Sequence, residues 1–353
     1  MKCTDNRKLT RAQIQRLRRK RQRRRMFFLL LFLICFLVFA GYLFYYFVIR
    51  SHEISFDDPF QASAEVTGVL TTPESEGARA ESFASNLCVT AGEVSVDGIS
   101  LQYAEAGALM DLSEKNVLFA NNVHERLYPA SLTKIMTALV AMKYGNLDDV
   151  VTIDAAALDI DAESSVAYLE LGDQYTLRQL LYGLLIASGN DAGNAIALHV
   201  GGSLDNFVAM MNQEALAIGA TNTHFMNAHG LQDENHYTTA YDVYLMFQEA
   251  MKYDVFADAV SQKSYVVTYT AADTFQYERT WTSTSHYFTG EAEIPENVTI
   301  FGGKTGTTDE AGACLALLSK DTYGNSYFSV ILRSSTKDDL YAEMNKLLSI
   351  IDN

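Results

Sequence analysis

Residues 129–137 read PASLTKIMT, and this stretch decides the fold. Apolar residues recur after it at helical spacing as far as Gly145, so the sequence predicts a helix over Ser131–Tyr144. On that helix Ser131 and Lys134 lie one turn apart on the same face. A serine hydroxyl is a poor nucleophile until a base takes its proton, and a lysine with a depressed pKa can be that base. The amide end of the helix also favours negative charge developing at the serine.

The Ser-x-x-Lys pattern is weak by itself, and the chain carries a second copy at residues 334–337, SSTK. In that copy the serine ends a predicted strand before its helix begins, so Ser334 is not expected to stack over Lys337. The first copy also has a plain alternative, in which Ser131 is an ordinary helix N-cap and Lys134 is a solvated charge. Ser131 is therefore distinguished as a nucleophile or as an N-cap only by the motifs elsewhere in the chain.

A second motif, Ser188-Gly189-Asn190, is the only Ser-x-Asn in the chain and separates two predicted helices. A hydroxyl and an amide on such a turn can project into a cleft. We expect Ser188 to relay a proton to a leaving group and Asn190 to orient Lys134 and a substrate amide. The alternative is a helix-connecting turn whose polar residues serve only as N-caps.

A third motif, Lys304-Thr305-Gly306, follows a β-like run and is surrounded by small residues. Small residues let a substrate backbone approach and pair as an added strand. Lys304 is the predicted cation that lowers the pKa of Lys134, and with Thr305 it can hold a carboxylate. The N–H groups of Thr307 and Ser131 are the predicted oxyanion hole, in which one donor contributes about 3 kcal/mol. A turn-forming edge strand is the alternative.

The order of the predicted elements indicates an α/β fold of the α+β type. A hairpin over 107–122 comes first, helices fill the middle, and strands dominate the end. We therefore expect one sheet built from both ends of the domain, a helical lobe against it, and a cleft between them. The remaining predicted helices are 176–187, 191–200, 204–218, 238–253 and 338–351, and the predicted strands are 265–269, 299–305, 314–319 and 327–333.

Together, the motifs and their flanks resemble those of D-alanyl-D-alanine carboxypeptidases, the low-molecular-weight penicillin-binding proteins, over roughly residues 105–350. The matching stretches are PASLTKIMT (129–137), SGNDA (188–192), NAHGL (227–231), HYTTA (236–240) and GKTGTT (303–308). The resemblance implies a transpeptidase/β-lactamase-like fold, with an antiparallel sheet flanked by helices. It implies a peptidoglycan pentapeptide as substrate and acylation by β-lactams. We expect no cofactor and no metal.

The resemblance also assigns roles to residues of this chain. It makes Ser131 the nucleophile, Lys134 the base, Ser188 and Asn190 the second motif, and Lys304 the start of the third. Thr305, Gly306 and Thr307 then bind the substrate. Some relatives use an arginine near the substrate carboxylate, for which Arg333 and Lys337 are weak candidates here.

The amino-terminal quarter has a different composition. Residues 1–25 hold twelve of the 27 Lys and Arg, residues 26–49 carry no charge, and the chain beyond Arg50 has 14 basic against 42 acidic residues. About 20 apolar residues span a bilayer, and basic flanks stay in the cytoplasm. We therefore predict a cytoplasmic tail (1–25), a transmembrane anchor (26–49), a flexible stalk (50–91) and an extracytoplasmic catalytic domain (92–353).

Two alternatives to this N-terminal organisation are less favoured. The apolar run is longer than the hydrophobic region of a cleaved signal peptide, which is usually about 7–15 residues. The basic run directly abuts the apolar segment, which favours a topology signal over nucleic-acid binding.

The cysteines and histidines do not suggest a metal. A disulfide between Cys88 and Cys314 is possible, but two free thiols are favoured. The spacing of His224, His229 and His236 fits no helical ligand pair, and hydrogen bonds that order a loop explain them better.

Rival functions remain open on sequence alone. A β-lactamase or a transpeptidase or endopeptidase would use the same three motifs. A β-lactamase usually needs a positioned carboxylate as well; Glu163 and Glu170 lie before the second motif, but nothing in the sequence marks either as that base. A non-catalytic cell-wall-binding protein is the rival from another class, and the intact triplet of motifs argues against it.

Overall fold

The fold is organised around a five-stranded antiparallel sheet with helices on both faces. The computed structural model describes residues 86–162 and 164–351, which belong to a compact unit, Arg79–Asn353. The strands of the described residues are β1 (Ala104–Asp111), β2 (Asn116–Asn121), β3 (Val150–Thr152), β4 (Gln174–Thr176), β5 (Ser264–Thr270), β6 (Gln276–Thr282), β7 (Thr299–Thr308), β8 (Gly312–Lys320) and β9 (Ser326–Ser334). The helices are α1 (Thr133–Tyr144), α2 (Leu177–Leu185), α3 (Asn190–Gly201), α4 (Leu204–Ala217), α5 (Ala240–Ala250), α6 (Asp254–Ser261), α7 (His286–Thr289) and α8 (Lys337–Leu348).

The larger sheet has the strand order β2-β1-β9-β8-β7, with every neighbouring pair antiparallel. The first hairpin and the last three strands therefore share one sheet, which confirms that it is built from both ends of the domain. Both faces of the sheet are buried, as the alternation along β9 shows. Val330 packs in the core on the helical-lobe side, whereas Ile331 packs in a second cluster with Leu340 and Met344 of α8.

Helix α1 forms the centre of the helical lobe. Its residues from Thr133 to Met142 are all buried, as expected for a helix that is apolar on nearly every side. It contacts α5, α3, α2 and α4. Lys134 is fully buried within this helix, so the fold places an ionisable group at the point where the lobe meets the sheet.

A second sheet, with the order β3-β4-β5-β6, was not predicted as a unit. Only β5 was expected from the sequence. Strands β3 and β4 have three residues each, which is too short for a periodic pattern to be visible. Strand β6 has mostly exposed polar positions, and Trp281 is its one buried residue.

The predicted helix over 238–253 covers only α5, Ala240–Ala250, and α6 was not predicted. Two further boundaries bear on the site and on the start of the domain. Ser131 lies in a short 3-10 turn, Ala130–Leu132, and α1 begins only at Thr133. The predicted stalk over 50–91 overlaps the described chain only from residue 86, and there Cys88 is buried, with its backbone N–H donating to Tyr244 Oη over 2.9 Å. The body of the protein therefore starts before residue 92.

Cys88 and Cys314 are both buried free thiols, as favoured from the sequence. The predicted cytoplasmic tail and transmembrane anchor, residues 1–25 and 26–49, lie outside the described residues. Within residues 86–162 and 164–351, none of the helices has the length and apolar character needed to span a membrane.

Candidate active site

Ser131 stands at the contact between the helical lobe and strand β7. Ala130, just before it, has a left-handed backbone with φ of 47°. A side chain at Gly306 would place its Cβ 2.9 Å from the Ser131 nitrogen, and one at Gly230 would place it 1.8 Å from the Ala130 carbonyl oxygen. Two glycines therefore allow the turn that carries Ser131 to fit between β7 and the loop around residue 230.

The Lys134 amine has three polar partners. Its Nζ lies 2.7 Å from Ser131 Oγ, 2.7 Å from Asn190 Oδ1 and 2.8 Å from the His229 carbonyl oxygen. The amide oxygen and the carbonyl can only accept, so they take the two hydrogens of a neutral amine. The remaining lone pair then points at Ser131, which is the arrangement a base needs to remove the hydroxyl proton.

Burial and a neighbouring positive charge both favour the neutral form of this amine. Burial is the main cause holding the pKa of Lys134 well below its usual value, and the positive charge of Lys304 lowers it further. Asp191 acts in the opposite direction. The sequence prediction that Lys304 lowers the pKa of Lys134 agrees with this arrangement.

The second motif forms a tight turn before α3. Ser188 has a left-handed backbone with φ of 58°, and it is 3% exposed. Its Oγ accepts a hydrogen bond of 2.9 Å from Lys304 Nζ. Asn190 is the first residue of α3 and is 4% exposed. The second motif therefore places Ser188 against Lys304 and Asn190 against Lys134.

Lys304 lies on β7 and is buried. Its Nζ also donates to the Thr305 carbonyl oxygen over 2.9 Å. Burial lowers the pKa of Lys304 to about 7. A lysine near this value can either carry a charge or exchange a proton at neutral pH.

Two cavities meet at Ser131. The first has about 100 Å³ and is lined by Ser188, Thr305, Thr307 and Lys337, among others. The second has about 300 Å³ and lies towards Asn190, His229, Thr307 and Asp309. A substrate at Ser131 thus finds space on both sides of the bond to be broken. Ser131 and Thr307 line both cavities, consistent with their predicted place at the oxyanion hole.

Arg333 and Lys337, the two candidates for binding a substrate carboxylate, line different cavities. Arg333 Nη1 pairs with Glu105 Oε2 at 2.8 Å, and it lines a different groove that does not include Ser131. Lys337 lines the first cavity together with Thr305 and Tyr341. The second Ser-x-x-Lys copy is therefore no second site: Ser334 ends β9 and Lys337 begins α8.

The histidines order the loop behind Lys134. Met226 N–H donates to His236 Nδ1 over 3.2 Å, which leaves the Nε2 hydrogen for Thr133 Oγ1 at 2.8 Å. Burial lowers the pKa of His236 to about 4 and that of His229 to about 3, so both are neutral at pH 7. Among the described residues, no group of three metal-ligating side chains is placed to hold a metal ion.

Sequence reasoning missed three contributors to this site. The first is the His229 carbonyl oxygen, because a backbone group leaves no mark in the sequence. The second is Ser165, which lines both cavities from a loop without periodicity. The third is Asp191, whose only visible signal was its place beside Asn190. Of the two candidate β-lactamase carboxylates, Glu170 lines neither cavity at Ser131 and lies 3.4 Å from Arg279, and Glu163 is outside the described residues.

The fold and site together define a class of protein. A serine one turn before a buried lysine, a Ser-x-Asn turn and a Lys-Thr-Gly strand around one cleft are the arrangement of penicillin-recognising serine enzymes. Residues 94–336 match the D-alanyl-D-alanine carboxypeptidase family. The chain belongs to this family.

Named relatives agree with this assignment. The chain is 34% identical over 250 residues to the D-alanyl-D-alanine carboxypeptidase DacF of Bacillus subtilis, covering 69% of this chain and 61% of that protein. It is 34% identical over 270 residues to DacC of Escherichia coli, covering 73% and 63%. The matched part thus spans about three fifths of the length of these curated relatives.

Solved structures show the same architecture. The Streptomyces K15 DD-transpeptidase superposes with a TM-score of 0.66 at 29% identity, covering 73% of this chain and 98% of that one. A D-alanyl-D-alanine carboxypeptidase from Mycobacterium tuberculosis gives 0.65 at 27% identity, covering 74% and 95%. The predicted transpeptidase-like fold, with its antiparallel sheet and helical lobe, is confirmed.

Proposed function

We propose that this protein is a serine-type D-Ala-D-Ala carboxypeptidase that trims peptidoglycan pentapeptides through an acyl-enzyme on Ser131. The observation that carries the proposal is the Lys134 amine, 2.7 Å from Ser131 Oγ, with its hydrogens directed to Asn190 and the His229 carbonyl. A buried amine with its lone pair on a serine has a clear chemical use as a base. Membership of the carboxypeptidase family supports the same reaction.

The first half-reaction forms the acyl-enzyme. Ser131 Oγ attacks the carbonyl carbon between the two D-alanines while its proton passes to Lys134 Nζ. The carbonyl oxygen becomes an oxyanion that accepts hydrogen bonds from the N–H groups of Ser131 and Thr307. The C–N bond then breaks, and Ser188 gives its hydroxyl proton to the departing amine. Lys134 then passes on to Ser188 the proton that it took from Ser131 and is neutral again, while Lys304, whose Nζ lies 2.9 Å from Ser188 Oγ, keeps its own protons and holds that hydroxyl in place.

The second half-reaction releases the shortened stem. A water molecule gives a proton to the neutral Lys134 amine and attacks the ester carbonyl. The C–O bond to Ser131 breaks, and the proton on Lys134 returns to Ser131 Oγ. Enzyme and base are then as they were at the start, and the products are the tetrapeptide and free D-alanine.

The first cavity would hold the terminal carboxylate of the substrate. Thr305, Lys337 and Ser188 line it, and the buried Lys304 donates a hydrogen bond to Ser188 Oγ. Arg333 is not placed to help, because it faces Glu105 in another groove. Lys337 therefore takes the role that an arginine has in some relatives. β-Lactams, which carry a carboxylate next to a strained amide, would acylate Ser131 in the same orientation.

The proposed location is the outer face of the bacterial cell membrane. The support is the sequence: an uncharged run at 26–49 behind a basic tail at 1–25, followed by a strongly acidic body. The protein would be held by this single span with its amino terminus in the cytoplasm. Peptidoglycan, the proposed substrate, lies on the side where the catalytic domain would then be.

The test uses the full chain purified in detergent with a D-Ala-D-Ala-terminated pentapeptide. D-Alanine release by the wild type, abolished in Ser131→Ala, is the expected result. The matched control is Ser334→Ala, which removes the serine of the second Ser-x-x-Lys copy and should leave the rate unchanged. No D-alanine release by folded wild type would contradict the proposal.

A transpeptidase is the second candidate, favoured by one observation. The second cavity, about 300 Å³, leaves room beside Ser131 for an amine in place of water, and solved relatives include a DD-transpeptidase. Adding glycine or a diamino acid to the assay separates the two. A new peptide bond formed at the expense of free tetrapeptide indicates transfer, and unchanged tetrapeptide formation indicates hydrolysis.

A further inference from the structure

One loop lines the active site together with residues of strand β7. We call residues 164–169 the strap. They lie against the second motif and the start of α3. Ser165 of the strap lines both cavities that meet at Ser131. Its carbonyl oxygen accepts a 2.8 Å hydrogen bond from the Asn190 backbone N–H. The strap is therefore part of the wall against which a substrate at Ser131 would lie.

Asp191 holds the strap with both of its carboxylate oxygens. Its Oδ1 accepts from the Ala167 N–H at 2.8 Å, and Oδ2 accepts from the Leu169 N–H at 3.0 Å. Oδ1 also accepts from the N–H of Ala192, at 2.8 Å. The side chain is 2% exposed. Three amide donors thus replace the water that a buried carboxylate loses.

The fit between strap and motif is close. A Cβ at Gly189 would lie 2.6 Å from Asp191 Oδ1 and 2.7 Å from the Ala167 nitrogen. On the other side of the strap, Trp281 Nε1 donates to the Ala167 carbonyl oxygen over 2.8 Å. The strap is therefore fixed from two directions, by Asp191 in the lobe and by Trp281 in the second sheet.

Asp191 also carries a charge beside the reacting groups. It follows Asn190, whose Oδ1 lies 2.7 Å from Lys134 Nζ. Among the described residues, no ion pair joins Asp191 to a lysine, arginine or histidine. Its negative charge is consequently not neutralised by a close partner and acts on the buried Lys134.

We propose that Asp191 is a positioning residue of the Ser131 reaction: it fixes the strap, and with it Ser165 and Asn190, and its charge offsets that of Lys304 at the Lys134 amine. This inference rests on the proposed function, since it concerns how the same site is held. Nothing in the three motifs themselves assigns a role to this residue. The two parts of the proposal, position and charge, are separable by substitution.

The charge part predicts the direction of a pH shift. Two charged groups act on Lys134 from the elements around it, Lys304 on β7 and Asp191 on α3. The other titratable groups that face it, His229 and His236 of the loop behind, are neutral at pH 7. Lys304 lowers the pKa of Lys134 and Asp191 raises it. Removing the Asp191 charge lowers that pKa further, so the neutral base persists to lower pH. The acid limb of the acylation profile therefore moves to lower pH.

The experiment compares three variants of the full chain in detergent. Asp191→Asn keeps one acceptor oxygen but loses the charge and the bond to Leu169. Trp281→Phe loosens the strap from its other side and leaves the charge. Asp242→Asn is the matched control: Asp242 is also 2% exposed, and it accepts from the Asn222 N–H at 2.9 Å, but it lines neither cavity. Acylation by a fluorescent penicillin is followed against pH, with melting temperatures for each variant.

We expect Asp191→Asn to acylate at least about tenfold more slowly at its optimum and to show an acid limb at lower pH. Trp281→Phe should be slower with an unmoved limb, and Asp242→Asn should match the wild type in both. An Asp191→Asn profile equal to that of Asp242→Asn, or a limb that stays or rises, contradicts the inference. If Asp191→Asn does not fold, an unchanged rate in Trp281→Phe contradicts the role of the strap. A wild type that neither acylates nor releases D-alanine contradicts the proposed function instead.

Discussion

Replacing Asn190 by alanine should slow acylation by removing one of the two acceptors that orient the Lys134 amine. In the wild type, Asn190 Oδ1 and the His229 carbonyl oxygen accept from Nζ at 2.7 and 2.8 Å, leaving the lone pair for Ser131. Without Asn190, one amine hydrogen has only Ser131 Oγ as an acceptor nearby. The base is then turned so that it donates to the nucleophile for part of the time.

The magnitude follows from the lost hydrogen bond. Leaving a buried donor unsatisfied costs about 1–3 kcal/mol, and every ~1.4 kcal/mol is a factor of ten in rate. The acylation rate constant of Asn190→Ala should therefore fall by roughly 5- to 150-fold. Asn190→Asp should act differently, because a carboxylate next to the amine raises the pKa of Lys134 and moves the acid limb to higher pH.

The assay is stopped-flow acylation by a fluorescent penicillin over a range of pH. Asn194→Ala is the matched control, because Asn194 lies one turn further along α3 and is 3% exposed but lines neither cavity. The reasoning is refuted if folded Asn190→Ala acylates within twofold of the wild type. It is also refuted if Asn190→Asp moves the acid limb to lower pH.

Three further predictions concern charge. Lys304→Met removes the cation that lowers the pKa of Lys134, so the acid limb of acylation should move to higher pH in the same stopped-flow assay; an unmoved limb argues against coupling of the two lysines. Lys337→Ala should raise KM about tenfold for a peptide with a free terminal carboxylate but should not change the KM for the corresponding peptide amide. Arg333→Ala should change neither KM value. If Lys337→Ala raised both KM values equally, Lys337 would not bind the carboxylate. His236 has a folded pKa of about 4 against about 6.5 unfolded, so the unfolded chain binds its proton first and stability is lost as pH falls from 6.5 to 4. Urea denaturation should show that this histidine accounts for about 3 kcal/mol of the difference between pH 7 and pH 4, a difference that His236→Asn should remove.

The parts of the site that could be predicted from the sequence are those in which chemistry and spacing are local. Ser131 and Lys134 are three residues apart, so any helical turn brings them together. The Ser-x-Asn turn is recognisable because it separates two periodic helices. The Lys-Thr-Gly strand is recognisable because it follows a β-like run and is surrounded by small residues. Predicting that the three meet required the resemblance to a family, because spacing along the chain does not determine which elements become neighbours.

The parts that could not be predicted depend on contacts between distant segments. Cys88 is buried because it meets Tyr244, 156 residues away, and nothing in the local composition distinguishes it from the predicted stalk. The 3-10 turn at Ser131 follows from the left-handed backbone at Ala130, which the approach of Gly230 and Gly306 permits. Local propensity predicts a regular helix start there, and the tertiary structure overrides it.

The fold was similarly predictable where elements carry long apolar patterns, and not where they are very short or, like β6, mostly polar and exposed. Helix α1 and strands β7 to β9 have long apolar patterns and were found with small errors at their ends. Strands β3 and β4 pair over only three residues, so their stability comes from Tyr175, which packs between Tyr269 and Trp281, and from neighbours far along the chain. Such strands exist because of the packing around them and carry no periodic signal of their own.

The most direct test of the proposed chemistry is mass spectrometry of the full chain after reaction with penicillin. Peptide mapping should find a single penicilloyl group, attached to Ser131 in the peptide that contains residues 129–137. A Lys134→Ala chain that is folded should carry little or none of it under the same conditions. An adduct on another residue, or no adduct on a folded wild-type chain, would contradict the assignment of Ser131 as the nucleophile.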